Sequence, residues 1–396
     1  MSNTIFPGST LGIIGINRNG VAMIAAAKKA GFNVGVYVDR SQPDITKMAD
    51  FTIDGAYNDK QKLTEFGEAC DAIIYQTPNI DSTVIRFLGQ YAAIPQGING
   101  LEIVQDRLME RAFLDQININ IAPYVTVIGL DDVYQSIDSI GYPALLKPIQ
   151  RGIGEQSMMI KRQSDITRAA DFIDTGTYLL ESWIDHTAEY TLTAACANGE
   201  VEIFPLAQLE YNEDRQLISV ASPAEVADDM LQEMHRIIKS VADSLQYTGV
   251  FSVNFYVTST GTLYVKNIEL GLTSIANVYD NTTNVDQYEQ QLRASVGMPL
   301  HVIRQLQTAL LMIIRNYQSV AIRRQWLLKN NWKFRFFNSD TDTADPAGIL
   351  GFVWVTGDTD LDALRNQVDD TEVWNKTLPS RRPSGLRRQH LKPTPW

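Results

Sequence analysis

Residues 249–270 read GVFSVNFYVTSTGTLYVKNIEL, two runs rich in β-branched and aromatic residues on either side of Ser259-Thr260-Gly261. That composition, with a polar, glycine-bearing break between the runs, spells an antiparallel hairpin, and residues 262–268 alternate as a half-buried strand does. Upstream, ADDMLQEMHRIIKSVADSLQ (227–246) carries a helical period. Downstream, VDQYEQQLRASVG (285–297) and LHVIRQLQTALLMIIRNY (300–317) are expected as helices, with short strands at KFRFF (333–337) and GILGFVWV (348–355).

The first hundred residues have a different rhythm. LGIIGI (11–16), VAMIAAAKKAG (21–31), NVGVYV (33–38), a polar break and DAIIYQ (71–76) read as βαβ units around a parallel sheet. Gly15 and Gly20 frame the first turn, GINRNG, where the full GxGxxG spacing is missing, so a plain strand-to-helix turn is the expected reading. Between the two regions, GLEIVQDRLMERAFLDQ (100–116) predicts one amphipathic helix, and NINIAPYVTVI a turn and strand. GYPALLKPIQRGIGEQSMMIK predicts a strand ending in Lys147, a glycine-bearing loop and a returning strand; YLLESWI and AEYTLTAACANGEVEIFPL continue as antiparallel strands.

At 396 residues the chain favours two or three domains, and 44% hydrophobic against 20% charged residues suffices for a sizeable core. A formal net charge of −12 argues against a nucleic-acid surface, which would reward clustered Lys and Arg. The basic stretch PSRRPSGLRRQHLKPTPW (379–396) is expected as a solvated tail. Cys70 and Cys196 lie far apart, with no CxxC, which suits a reducing cytoplasm. No secretory leader is read at the N-terminus, and no apolar run approaches the ~20 residues of a membrane span. His186, His235, His301 and His390 are scattered and form no triad or metal spacing.

A few residues suit phosphate and purine chemistry. Lys147, at a strand end before a flexible loop, is placed for an ammonium to meet phosphate oxygens, although a surface lysine reads the same way. Glu181 and Glu189 offer acceptors to a ribose or an adenine amine, or are simply solvated. Ser182, Trp183 and Ile184 offer backbone groups and apolar surface; a tryptophan in such a place is more often core than a stacking platform.

Taken in order, the βαβ domain, QDRLMERAFL, GYPALLK with its loop, LLES, the hairpin and QYEQQLRASVGMPL resemble the ATP-grasp superfamily. Within it the chain is similar to 5-(carboxyamino)imidazole ribonucleotide synthases, the ATPase subunits of phosphoribosylaminoimidazole carboxylase, over roughly residues 10–360. The resemblance implies an α/β ATP-grasp fold with an N-terminal βαβ (pre-ATP-grasp) domain over 1–100. It implies an ATP-grasp domain over 101–305, with a lid subdomain at about 122–185, then a small C-terminal β-rich domain over 306–378 and the tail. Such enzymes bind ATP between two β-rich subdomains, make carboxyphosphate with magnesium, and carboxylate aminoimidazole ribonucleotide. Arg107 and Lys147 fall on the implied phosphate contacts, Glu181, Ser182, Trp183 and Ile184 on the adenine hinge, and Glu189 on the ribose acid. A cytoplasmic homodimer is implied as well.

The departures cluster at the chemistry. Where the family places a magnesium-binding glutamate on each of two strands, this chain has Asn254 and Asn267. Neutral amides hold a hard dication poorly, so ATP is the expected cofactor while magnesium is expected to be gripped weakly. Glu269 is a substitute ligand only if a bulge brings it nearer than the ~7 Å that two strand residues span. The lid IQRGIGEQ lacks the family's lysine, leaving Glu155 as a displaced candidate. On the ribonucleotide side Gly271, Thr273 and Ser274 stand for the family's arginine, histidine and asparagine, only Asn79 survives of a polar trio, and Ser339 and Gly348 replace phosphate-binding cations. A nucleotide-binding member with parent catalysis impaired or lost is the expectation, with a ligase of altered substrate and a conventional synthase as alternatives.

Overall fold

The computed structural model describes residues 4–39, 43–151, 157–173, 176–337 and 348–374. The N-terminal sheet is parallel, with strands β1 (Thr10–Ile14), β2 (Asn33–Val38), β3 (Phe51–Asp54) and β4 (Ala72–Tyr75) in the order β3-β2-β1-β4. β3 lies inside the expected polar break: FTID is a half-exposed edge strand without an apolar run to announce it. Gly15 takes φ +66 at the end of β1, and a Cβ there would meet Ile80 Cδ1 at 2.3 Å, so turn geometry and packing explain this glycine.

The helix expected over 100–116 is two. Asp106 is extended (φ −111, ψ 116) between helices Asn99–Gln105 and Arg107–Gln116, and its carboxylate caps the second by accepting from Leu108 N and Met109 N. The break makes Arg107 the first residue of a new helix and puts Arg111 one turn behind it on the same face.

A small antiparallel sheet follows, formed by β5 (Tyr124–Val127), β6 (Ala144–Pro148), β7 (Met158–Ile160) and β8 (Tyr178–Ser182) in the order β5-β8-β6-β7. The remaining strands are β9 (Ala188–Ala197), β10 (Glu200–Ile203), β11 (Ala207–Tyr211), β12 (Leu217–Ser222), β13 (Gly249–Val257), β14 (Leu263–Leu270), β15 (Thr308–Arg315), β16 (Trp332–Phe336) and β17 (Ile349–Gly357). They build one sheet in the order β14-β13-β9-β11-β12-β15-β17-β16, with β10 paired to β9. The C-terminal strands therefore extend the central sheet through the β12–β15 pair rather than forming a sheet of their own.

β15 corrects the expected helix through TALLMIIR. It is buried along almost its whole length, between β12 and β17, so both of its faces are apolar and the alternation that marks a strand is missing. Each such fully buried aliphatic side chain contributes about 2 kcal/mol of burial free energy. The expected helices at 227–246 and 285–297 appear as Asp228–Leu245 and Gln287–Val296.

Candidate nucleotide site and adjoining cleft

The small sheet meets the central sheet at a cluster of charges. Lys147 Nζ donates to Glu181 Oε2 at 2.6 Å, and Arg111 Nη2 donates to Glu181 Oε1 at 2.8 Å. Arg151 Nη2 pairs at 2.5 Å with Glu110 Oε2, a carboxylate wholly removed from solvent whose Oε1 accepts from Ile268 N. Arg107 Nη1 donates to the Pro148 carbonyl at 2.6 Å. Among the described residues Arg111, Lys147 and Arg151 thus share two carboxylates, Glu110 and Glu181. Burial pulls the Lys147 ammonium below its ordinary pKa, with Arg111 and Arg107 adding repulsion that Glu181 only partly offsets. Glu181, despite burial, is held below the usual carboxylate range by Lys147 and Arg111. A cluster with one positive charge in excess favours an added anion.

Ser182, Trp183 and Ile184 line a cavity of about 20 Å³ with Lys147, Tyr256 and Lys266, room for about one water. Ser182 N and Trp183 N donate to Pro123 O and Pro143 O. His186 Nδ1 lies 2.7 Å from the Ile184 carbonyl, and its ring stacks on Tyr256 at 4.1 Å. Trp183 is covered by the Arg215 guanidinium, 4.0 Å above its ring. Glu189 receives His186 Nε2 at 3.0 Å and Lys266 Nζ at 2.9 Å. Glu155 lies outside the described residues.

Asn254 and Asn267 face each other across β13 and β14, and Glu269 joins them: Asn254 Nδ2 donates to Asn267 Oδ1 at 3.2 Å and to Glu269 Oε1 at 3.0 Å. The expected gap to Glu269 is closed without a bulge between them: Asn267, Ile268 and Glu269 pair in unbroken register with Asn254, Val253 and Ser252, and the glutamate side chain itself reaches back. The bulge lies on the other side of Asn267. Asn254 pairs with Asn267 but Phe255 pairs with Val265, so Lys266 is the extra residue of a bulge. The bulge carbonyl is taken up by Arg111 Nη2 at 2.8 Å. For magnesium the set fits badly. It holds one carboxylate, one of whose oxygens already accepts amide hydrogens, and Asn254 Oδ1, a buried acceptor without a partner, is neutral. No group of three or more His, Cys, Asp or Glu able to hold a metal occurs among the described residues.

Beyond this cluster opens a cleft of about 2050 Å³ that reaches the N-terminal sheet, with Asn79, Thr273, Ser274 and Gly348 in its wall. Ser339 lies outside the described residues. The expectation that this side lacks cations is corrected: Arg18, from the first turn, and Arg335, on β16, both line it. Arg335 Nη2 pairs with Asp280 Oδ2 at 2.8 Å and lies over Trp354. Asp280 Oδ1 and Gln76 Nε2 are buried without partners. Gly271 takes φ +82, with the Gln76 carbonyl 3.2 Å from where a Cβ would stand.

Residues 9–105 match the ribonucleotide synthetase preATP-grasp domain, and residues 112–270 match the ATP-grasp domain. The chain belongs to the ATP-grasp superfamily. It is 29% identical over 298 residues to the N5-carboxyaminoimidazole ribonucleotide synthase of Bacillus subtilis, covering 75% of this chain and 78% of that one. The same enzyme of Staphylococcus saprophyticus is 28% identical over 295 residues, 74% of this chain and 78% of that one. Among solved structures, an ADP complex of an N5-carboxyaminoimidazole ribonucleotide synthetase superposes with TM-score 0.88 at 22% identity, covering 95% and 99% of the two chains. The Aspergillus clavatus synthase in complex with ADP and 5-aminoimidazole ribonucleotide gives 0.82 at 17%, covering 94% and 99%.

Within this ATP-grasp frame, Arg111, Tyr256, Arg18 and Arg335 escaped the sequence reading, and Lys266 was visible only as the neighbour of Asn267 where an acid is expected. Arg111 had a usable sign, four residues after Arg107 on one helix. The direction of Lys266 had none, because the bulge that turns it towards the site depends on pairing with β13. No helix among the described residues is long and apolar enough to cross a membrane.

Proposed function

We propose that this ATP-grasp protein binds a nucleotide through Arg107, Lys147 and the Glu181–Ile184 hinge, and does not carboxylate aminoimidazole ribonucleotide. The observation that carries the binding half is the excess of cations at Lys147, Arg111 and Arg151 over Glu110 and Glu181. Phosphate oxygens would relieve it through charge-assisted hydrogen bonds. Purine entry requires the hinge to open, since the cavity there, lined by Tyr256 among others, has only about 20 Å³. The catalytic half rests on the amide pair Asn254 and Asn267 in place of two carboxylates, together with Gly271, Thr273 and Ser274. The same reading takes the chain as a cytoplasmic homodimer.

A thermal shift of the full chain with ATP and with ADP tests the binding half. An upward shift supports it, and no shift with either nucleotide, with or without magnesium, removes it.

A ligase of altered substrate is favoured by one separate observation. Asp280 Oδ1 and Gln76 Nε2, a buried acceptor and a buried donor, both stand unpartnered in the wall of a cleft that also holds Arg18 and Arg335. Such a lining suits a small anion bearing its own donor.

A further inference from the structure

We infer that Lys266 takes the place of a divalent cation, so that this site binds nucleoside di- and triphosphates without magnesium. The inference rests on the nucleotide reading above and deepens it. Along β14, Val265, Ile268 and Leu270 are buried in the core, while Lys266, Asn267 and Glu269 are not. The bulge is the reason that two consecutive residues, Lys266 and Asn267, share one side. It therefore delivers an ammonium to the strand face on which Asn254, Asn267 and Glu269 meet.

The placement is built, not incidental. Arg111, itself buried, holds the Lys266 carbonyl at 2.8 Å with the same Nη2 that pairs with Glu181. Glu189 holds the ammonium at 2.9 Å, and the rings of Tyr256 and Tyr211 lie 5.2 and 5.8 Å from it. Lys266 also lines both the hinge cavity and the large cleft, so a molecule spanning the two passes its ammonium.

Charge counting gives the same answer. Two carboxylates around one dication sum to zero. Lys266, Glu269 and two amides also sum to zero, with no ion to recruit, and Glu189, the implied ribose acid that holds Lys266, adds one negative charge to either count. Two bare carboxylates would repel a polyphosphate until a metal arrived, whereas amides and an ammonium do not.

Calorimetric titration of ADP into the full chain, in EDTA and then in magnesium, tests this. The affinity in EDTA is expected within roughly threefold of that in magnesium. Lys266→Met should weaken binding in EDTA by roughly tenfold or more, and Lys266→Arg should largely restore it. A matched unfolding transition for the variants separates lost binding from lost fold. Binding that appears only with magnesium, or a Lys266→Met affinity equal to wild type in EDTA, overturns the inference and leaves the nucleotide reading standing. No binding in either condition overturns both.

Discussion

Asn254 Nδ2 donates to Glu269 Oε1 across 3.0 Å, so the one carboxylate of this face spends an oxygen on the amide that stands where an acid is expected. Two hydrogen-bond donors point inward where a metal needs acceptors. Restoring the acids reverses this. The double variant Asn254→Glu, Asn267→Glu should lose roughly 2 kcal/mol or more in EDTA, because three carboxylates then crowd a largely buried site. Magnesium should raise its melting temperature and leave wild type unmoved. Equal magnesium responses in a thermal-shift comparison would contradict the reading of the amides.

Gly271 shows why one substitution back towards the related synthases should fail. Its φ of +82 belongs to the left-handed region, and the Gln76 carbonyl leaves only 3.2 Å for a Cβ. Gly271→Arg should cost about 1–3 kcal/mol in urea unfolding, through backbone strain, without creating a ribonucleotide-dependent rate. An unchanged unfolding midpoint would show that the turn relaxes freely.

Asp280 carries a pH dependence of its own. Burial pushes its carboxyl up to about 7, against the pull of Arg335 and with some help from Asp286. Between about pH 4 and about pH 7 the folded chain therefore keeps a proton that the unfolded chain has released. Stability linked to this group is full below that window and falls as pH rises through it, by at most about 1.4 kcal/mol per pH unit. Asp280→Asn should flatten that slope in unfolding experiments run from about pH 5 to about pH 8. A slope identical to wild type would mean that Asp280 is ionised throughout.

Much of the fold was legible because local chemistry and tertiary role agree. The run NVGVYV is both β-prone and buried, and Asp228–Leu245 is both helical in period and half covered. TALLMIIR misleads because a central strand covered on both faces has no alternation to read. Asp106 was visible as a residue, but whether an aspartate inside a helical pattern caps a new helix is decided by its extended backbone and by its bridge to Gln150.

At the site, sequence raised Lys147, Glu181, Asn254 and Asn267 as residues to follow, and the structure brings Lys147 against Glu181 and Asn254 against Asn267. Sequence shows Lys266 beside Asn267 where an acid is expected but not the lysine's direction, which comes from a register shift, and it could not raise Arg18 and Arg335, which reach one cleft from positions more than three hundred residues apart. Such long-range placement leaves no periodic trace.

The most direct measurement is steady-state ADP release by the full chain supplied with ATP, magnesium, bicarbonate and 5-aminoimidazole ribonucleotide. No ribonucleotide-dependent rate above background is expected, since the face that would hold magnesium carries Asn254 and Asn267 and the ribonucleotide side carries Gly271, Thr273 and Ser274. A ribonucleotide-dependent turnover of about 1 s⁻¹ or more, the scale of ordinary enzymes, would contradict it.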